Sequence, residues 1–146
     1  MLTLKTAKDG LGIASGQNQL ILAGNNLSLD ELSVSEPGEY EKSGVEIVYG
    51  EQAALIIWEK LQMVYVFKGE KPASFEKSQF APCDILIIND ALAQMEKATF
   101  NELLEIYDPR IVVTKVSGTE VSEAVDNYKI STQSLPEEGR QFIALT

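Results

Sequence analysis

Glu36-Pro37-Gly38-Glu39-Tyr40-Glu41-Lys42-Ser43-Gly44-Val45 sets a turn ahead of an extended run and so points to sheet structure. Pro37 presets φ for the second position of a turn and Gly38 accepts positive φ at the third, so the pair predicts a type II turn. Beyond it the side chains alternate as in an extended segment, leading into a Gly-Val strand. Glu36, Glu39 and Glu41 read as solvated carboxylates, a soluble face rather than a site.

Outward from this stretch, toward the N-terminus, the chain reads as hairpins. Leu2 to Thr6 and Leu11 to Ser15 flank Lys8-Asp9-Gly10, where Asp-Gly supplies the positive φ angles of a tight hairpin turn. Leu20 to Ala23 follows a second turn at Gly16-Gln17-Asn18. Toward the C-terminus, strands are predicted at Val45 to Tyr49, Ala53 to Trp58 and Met63 to Phe67, the last two separated by Glu59-Lys60.

Near residue 70 the pattern changes. Asp84 to Ile88 and Arg110 to Thr114 read as buried strands, and between them Phe100, Leu103, Leu104 and Tyr107 recur at helical spacing. Thr99 with Glu102 fits a capping box, and Asp108-Pro109 stops the helix. A second short helix is predicted from about Thr119 to Asp126, with Ser117 and Glu120 as its capping box, and Gln141 to Leu145 as a closing strand. Strands alternating with helices favour parallel pairing through crossovers. The fold class expected is α/β: β-sheet layers with few helices, an antiparallel first half and a mixed or parallel second half, in a single domain over 1–146.

Composition narrows the function. The chain has 146 residues, 45% of them hydrophobic, enough for one domain with a real core. No apolar run reaches the length of a membrane helix, and the N-terminus alternates instead of presenting a basic start and an apolar block, so no membrane span and a cytoplasmic location are expected. A net charge of −10 argues against nucleic acid, whose binding depends on clustered Lys and Arg. The single cysteine, Cys83, excludes an internal disulfide framework and reads as a buried, inert thiol.

The stretch Glu36 to Val45 resembles a segment of the metallo-β-lactamase-fold hydrolases, in particular a small bacterial branch with a Pro-Gly-Glu-Tyr-Glu motif (here Pro37, Gly38, Glu39, Tyr40 and Glu41) before a Gly-Val strand. Cys83-Asp84-Ile85-Leu86-Ile87-Ile88 is similar to that branch's Asp-Ile-Leu strand, and Tyr107-Asp108-Pro109-Arg110-Ile111-Val112-Val113 to its Pro-x-Ile-Val strand. The resemblance spans roughly residues 20 to 116. It implies a metallo-β-lactamase-like fold and two metals held mostly by histidines, from a His-x-His-x-Asp-His loop and later positions. This sequence contains no histidine. Between Ala23 and Glu36, where that loop belongs, only a short segment remains, so the loop reads as deleted. Gly69-Glu70 matches the family's Gly-Asp and keeps a carboxylate, while Thr114, Lys115 and Val116 stand where the last histidine is expected. The resemblance implies the fold and contradicts the activity, so no metal and no cofactor are expected.

Other chemistries find little footing. Ser-His-Asp and Cys-His catalysis lack an imidazole to take the nucleophile's proton. Ser74-Phe75-Glu76-Lys77 matches a Ser-x-x-Lys pattern without its companion motifs. No phosphate-cradling glycine motif and no calcium loop occurs. Glu39, Glu41, Glu70 and Asp90 fall near predicted strand ends, but sequence places no two of them at a working distance. Trp58 reads as core rather than as an interface anchor.

Two functional readings follow. In the first, the chain is a truncated, metal-free and non-catalytic relative working by protein–protein contact, in a homo-oligomer or a larger assembly, through apolar surface that the missing segment once covered. In the second, it is a carboxylate-based enzyme or small-molecule binder reusing the cleft around Glu70, Asp90 and Lys115.

Overall fold

Two β-sheets face each other, with two helices on the far side of the second, in a computed structural model that describes residues 1–7, 10–69, 74–88, 95–115 and 123–145. The first sheet is an antiparallel meander of β1 (Leu2–Ala7), β2 (Gly10–Ser15), β3 (Asn18–Ala23), β4 (Asn26–Leu29) and β5 (Leu32–Val34), with β13 (Asn127–Ile130) added beside β1. The second has the order β12-β14-β11-β10-β9-β8-β7-β6. Its strands are β6 (Gly38–Lys42), β7 (Val45–Tyr49), β8 (Ala53–Trp58), β9 (Leu61–Val66), β10 (Ile85–Ile88), β11 (Ile111–Lys115), β12 (Glu123–Val125) and β14 (Gln141–Leu145). β6 to β9 pair antiparallel; β9, β10, β11, β14 and β12 pair parallel.

Side-chain alternation sorts the second sheet's residues into two cores. Ala54, Ile56 and Trp58 of β8, Met63 and Tyr65 of β9, and Ile85 and Ile87 of β10 face the first sheet, where Leu2, Leu4, Ile13, Leu20, Leu22, Leu27 and Leu29 meet them. Leu55, Val64, Val66, Leu86, Ile88 and Val112 face the helices α1 (Ser74–Phe80) and α2 (Lys97–Tyr107), through Phe80, Leu103, Leu104 and Tyr107. Coverage on both faces is why β8 and β10 are continuous apolar runs, whereas β1 and β4 alternate. Trp58 is buried between the sheets, as its sequence context indicates.

Two-residue turns join most of the antiparallel strands. Gly16 (φ 60°) and Gly24 (φ 58°) each open one, and Ser43-Gly44 and Glu59-Lys60 place both residues at positive φ, the primed geometry that matches strand twist. Lys8 and Asp9, predicted as a turn, lie outside the described residues. Gly10, beside them, has a different reason for being glycine: a Cβ there would fall 1.8 Å from the Leu22 carbonyl oxygen.

Several expectations are corrected. Residues 26–34, read as the remnant of a deleted loop, form the hairpin β4–β5, in which Leu27, Leu29 and Val34 are buried. Pro37-Gly38 is no type II turn; Gly38 has φ 155° and pairs with Tyr49 as the first residue of β6, because here the chain crosses from the first sheet to the second. The helix expected from Thr119 to Asp126 does not form over residues 123–125. These build β12, whose backbone groups are taken up by Ile143 to Leu145; Ser117, Glu120 and the rest of that segment lie outside the described residues. α2 starts at Lys97 with Glu96 at its N-cap, so Thr99 lies inside the first turn and no Thr99–Glu102 capping box opens the helix. Its end agrees with expectation: Asp108 adopts the left-handed conformation (φ 43°) and its N–H returns to the Leu104 carbonyl.

The apolar patch expected of a truncated fold is absent from the described residues, where Met1 is the exposed large apolar side chain. The outward face of the first sheet carries Thr3, Lys5, Gln19, Ser28 and Ser33 around a half-buried Ile21.

Candidate functional site

Parallel register brings three strand ends level: Val66 of β9, Ile88 of β10 and Thr114 of β11 stand side by side. The segments carrying Glu70, Asp90 and Lys115 leave from this end. Glu70, Asp90 and the side chain of Lys115 lie outside the described residues, so their convergence into a cleft is not part of the described site.

What the described residues build there is an aromatic plug. Tyr65, one residue from the end of β9, donates its hydroxyl to the Gly24 carbonyl at 2.6 Å, and Tyr49 at the end of β7 donates to the Asn25 carbonyl. Phe67 closes the gap between them, stacked on Tyr49 with centroids 4.8 Å apart and tilted against Tyr65 at 6.1 Å. Gly24-Asn25 is the turn between β3 and β4. The two phenols therefore tie the second sheet to that turn. Burial, and then the neighbouring Tyr40, push the Tyr49 hydroxyl above the usual tyrosine range, so it stays a neutral donor.

These groups do not fit a transition metal. Phenol hydroxyls committed to carbonyls and a stacked phenyl ring supply none of the imidazole or carboxylate ligands that zinc requires. Among the described residues no three His, Cys, Asp or Glu side chains are grouped to hold an ion.

Behind the plug lies a buried carboxyl group that sequence reasoning passed over. Glu76 of α1 is fully buried, and its Oε1 accepts from the backbone N–H groups of Gln52 and Ala53, both at 2.9 Å. The Gln52 carbonyl in turn accepts from Phe67 and Lys68. Gly50 makes room, since a Cβ there would lie 2.5 Å from Glu76 Oε1. Glu76 is thus a bracket for the β7–β8 turn and, through Gln52, for Phe67 just past the end of β9. No local pattern marks it; Ser74-Phe75-Glu76-Lys77 drew attention for its serine and lysine.

Pro37, Gly38, Glu39 and Tyr40 form a structural clasp where the chain crosses between sheets. The Tyr40 ring lies over Gly38, where a Cβ would come within 3.2 Å of its hydroxyl oxygen, and that hydroxyl donates to the Glu36 carbonyl at 3.0 Å. Glu39 is exposed beside it.

At the opposite end of the parallel strands a cleft of about 580 Å³ opens among Cys83, Asp84, Asp108, Arg110, Glu137 and Arg140. Its groups are mostly committed. Arg140 donates to the Pro109 carbonyl at 2.7 Å and to Asp108 at 3.0 Å, and Asp84 accepts from the Gln62 N–H at 2.8 Å. Burial, with Asp84 and Asp108 nearby, pushes the Cys83 thiol far up, so no thiolate is available.

Comparison with solved structures gives a full-length likeness. A protein from Thermotoga maritima, described as a candidate Zn-dependent hydrolase of the metallo-β-lactamase superfamily, superposes with a TM-score of 0.73 over 99% of both chains at 9% sequence identity. The fold is metallo-β-lactamase-like. At that identity the likeness carries the fold alone. No family model matches the chain, and no curated protein matches it. No helix among the described residues is long and apolar enough to cross a membrane.

Proposed function

We propose that this chain is a degenerate relative of the small bacterial branch of metallo-β-lactamase-fold hydrolases, non-catalytic and metal-free, acting in the cytoplasm by protein–protein contact in a homo-oligomer or a larger assembly. The observation that carries the reading is the aromatic plug. Tyr49, Tyr65 and Phe67 fill the junction between the sheets with hydrogen bonds to the β3–β4 turn. The complete absence of histidine supports it from the side of ligand chemistry. A domain that keeps a full core while losing its ligands has its surface left to work with.

Two measurements on the protein purified from its own source test this. After dialysis against excess Zn²⁺ and then buffer, bound zinc should be far below one ion per chain, with no hydrolysis of ester or phosphodiester substrates. Native mass spectrometry should give multiples of the 16.0 kDa chain or a complex with a second protein. One tightly bound zinc per chain with turnover, or a monomer carrying a small molecule, overturns the proposal.

A further inference from the structure

β6 ends the second sheet, and among the described residues it pairs with β7 alone. Lys42 and Val45 flank the two-residue turn Ser43-Gly44, and residues in that position exchange both backbone hydrogen bonds. Because the pattern alternates, Gly38, Tyr40 and Lys42 turn their backbone groups toward β7. Glu39 and Glu41 turn theirs away from the sheet, leaving a short row of donors and acceptors ready for another strand.

The side chains along that edge select what pairs there. Glu39 and Glu41 are exposed, Glu46 stands directly across from Glu41, and Glu51 follows at the end of β7. Between Pro37, Gly38, Glu39, Val48, Tyr49 and Glu51 lies a groove of about 360 Å³, apolar in its floor and acidic at its rim. A second copy is a poor occupant: antiparallel pairing of β6 with itself about Tyr40 sets Glu39 against Glu41 twice, and like charges directly opposite destabilise a pair. A cationic strand meets no such penalty.

Resting on the protein-contact reading above, we infer that the β6 edge receives an extended segment of a partner protein as a ninth strand. Lys or Arg at two positions two residues apart face Glu39 and Glu41, and an apolar side chain enters the groove beside Tyr49. Main-chain bonds supply affinity and the carboxylates supply charge selection, as in other strand-addition interfaces.

The test uses the full chain and three capped synthetic peptides: one alternating Lys with Val and Thr, its Glu-for-Lys counterpart, and a Lys peptide interrupted by Pro. Amide hydrogen exchange is followed residue by residue by NMR. Saturating Lys peptide should slow exchange at Glu39 and Glu41 by about tenfold or more, the protection that ~90% occupancy confers. The Glu and Pro peptides should leave both amides unchanged, and the double variant Glu39→Lys, Glu41→Lys, altered only at exposed positions, should lose the protection with an unchanged circular dichroism spectrum. No protection by the Lys peptide, equal protection by the Pro peptide, or full protection in the double variant overturns the inference. Any of these beside an oligomer or complex in the native mass spectrum places the contact on another surface, whereas a bare monomer in that spectrum fails the broader reading itself.

Discussion

Glu76 shows how one buried side chain can be structural although its chemistry suggests catalysis. Its oxygen accepts two backbone N–H groups, that of Ala53 buried and that of Gln52 partly buried, so removing it leaves at least the Ala53 donor unsatisfied in the core. Glu76→Ala should cost about 2–4 kcal/mol in urea unfolding, and Glu76→Gln, which keeps an acceptor oxygen, about half that. Gly50→Ala should destabilise by about 1–3 kcal/mol, because the new Cβ meets Glu76 Oε1 at 2.5 Å and the Ala53 carbonyl at 3.0 Å. A Gly50→Ala variant as stable as the parent would remove the bracket from the account. Titration points the same way. The Tyr49 and Tyr107 hydroxyls are raised above 10.0, first by burial, and the Cys83 thiol above 9.0. Groups held neutral in the fold contribute stability that is whole below their unfolded values and lost as pH rises toward the folded ones. The urea midpoint should therefore be flat up to about pH 9 and fall steadily above it, with a shallower fall in Tyr107→Phe. The buried thiol of Cys83 is legible from sequence; the roles of Glu76, Gly50 and Tyr49 are not, because each depends on partners distant in the chain.

At the scale of elements, legibility follows the length and purity of the pattern. Val45 to Tyr49, Ala53 to Trp58 and Gln141 to Leu145 form strands with the limits that their sequences suggest, since each is a sustained β-branched or apolar run. β4 and β5 escaped because their apolar residues come in pairs separated by Asp30-Glu31, too short a run to stand out from a loop. β12 was mistaken because Val121, Ala124 and Val125 also satisfy a helical spacing; pairing with β14 decided the matter. The turns make an independent prediction. Ser43 sits at φ 54° and Gly44 at φ 82°. Ser43→Asn, a residue better suited to that region, should raise stability by a few tenths of a kcal/mol. Gly44→Val should lower it by about 1–3 kcal/mol, read from the same urea curves.

The whole molecule is held by two cores that share one sheet. Strands β8 to β11 contribute alternate residues to each, so neither the first sheet nor the helices can leave without exposing one face of the same strands. The chain should unfold in a single transition: Trp58 fluorescence, which reports the space between the sheets, and far-ultraviolet circular dichroism should give coincident urea curves. Two separated transitions would divide it into independent units.

From the sequence alone came the sheet-rich class with few helices, the hairpins around their turns, the resemblance to a metallo-β-lactamase fold and the want of imidazole, all carried by local periodicity, turn chemistry and composition. Tertiary structure alone decided the rest. That Pro37 and Gly38 mark a crossing between sheets, that Glu76 brackets a turn on another strand, and that Tyr49, Tyr65 and Phe67 meet Gly24 and Asn25 depends on which strands lie side by side. Register brings together residues 24 to 41 positions apart, and no local pattern records a contact made over that distance.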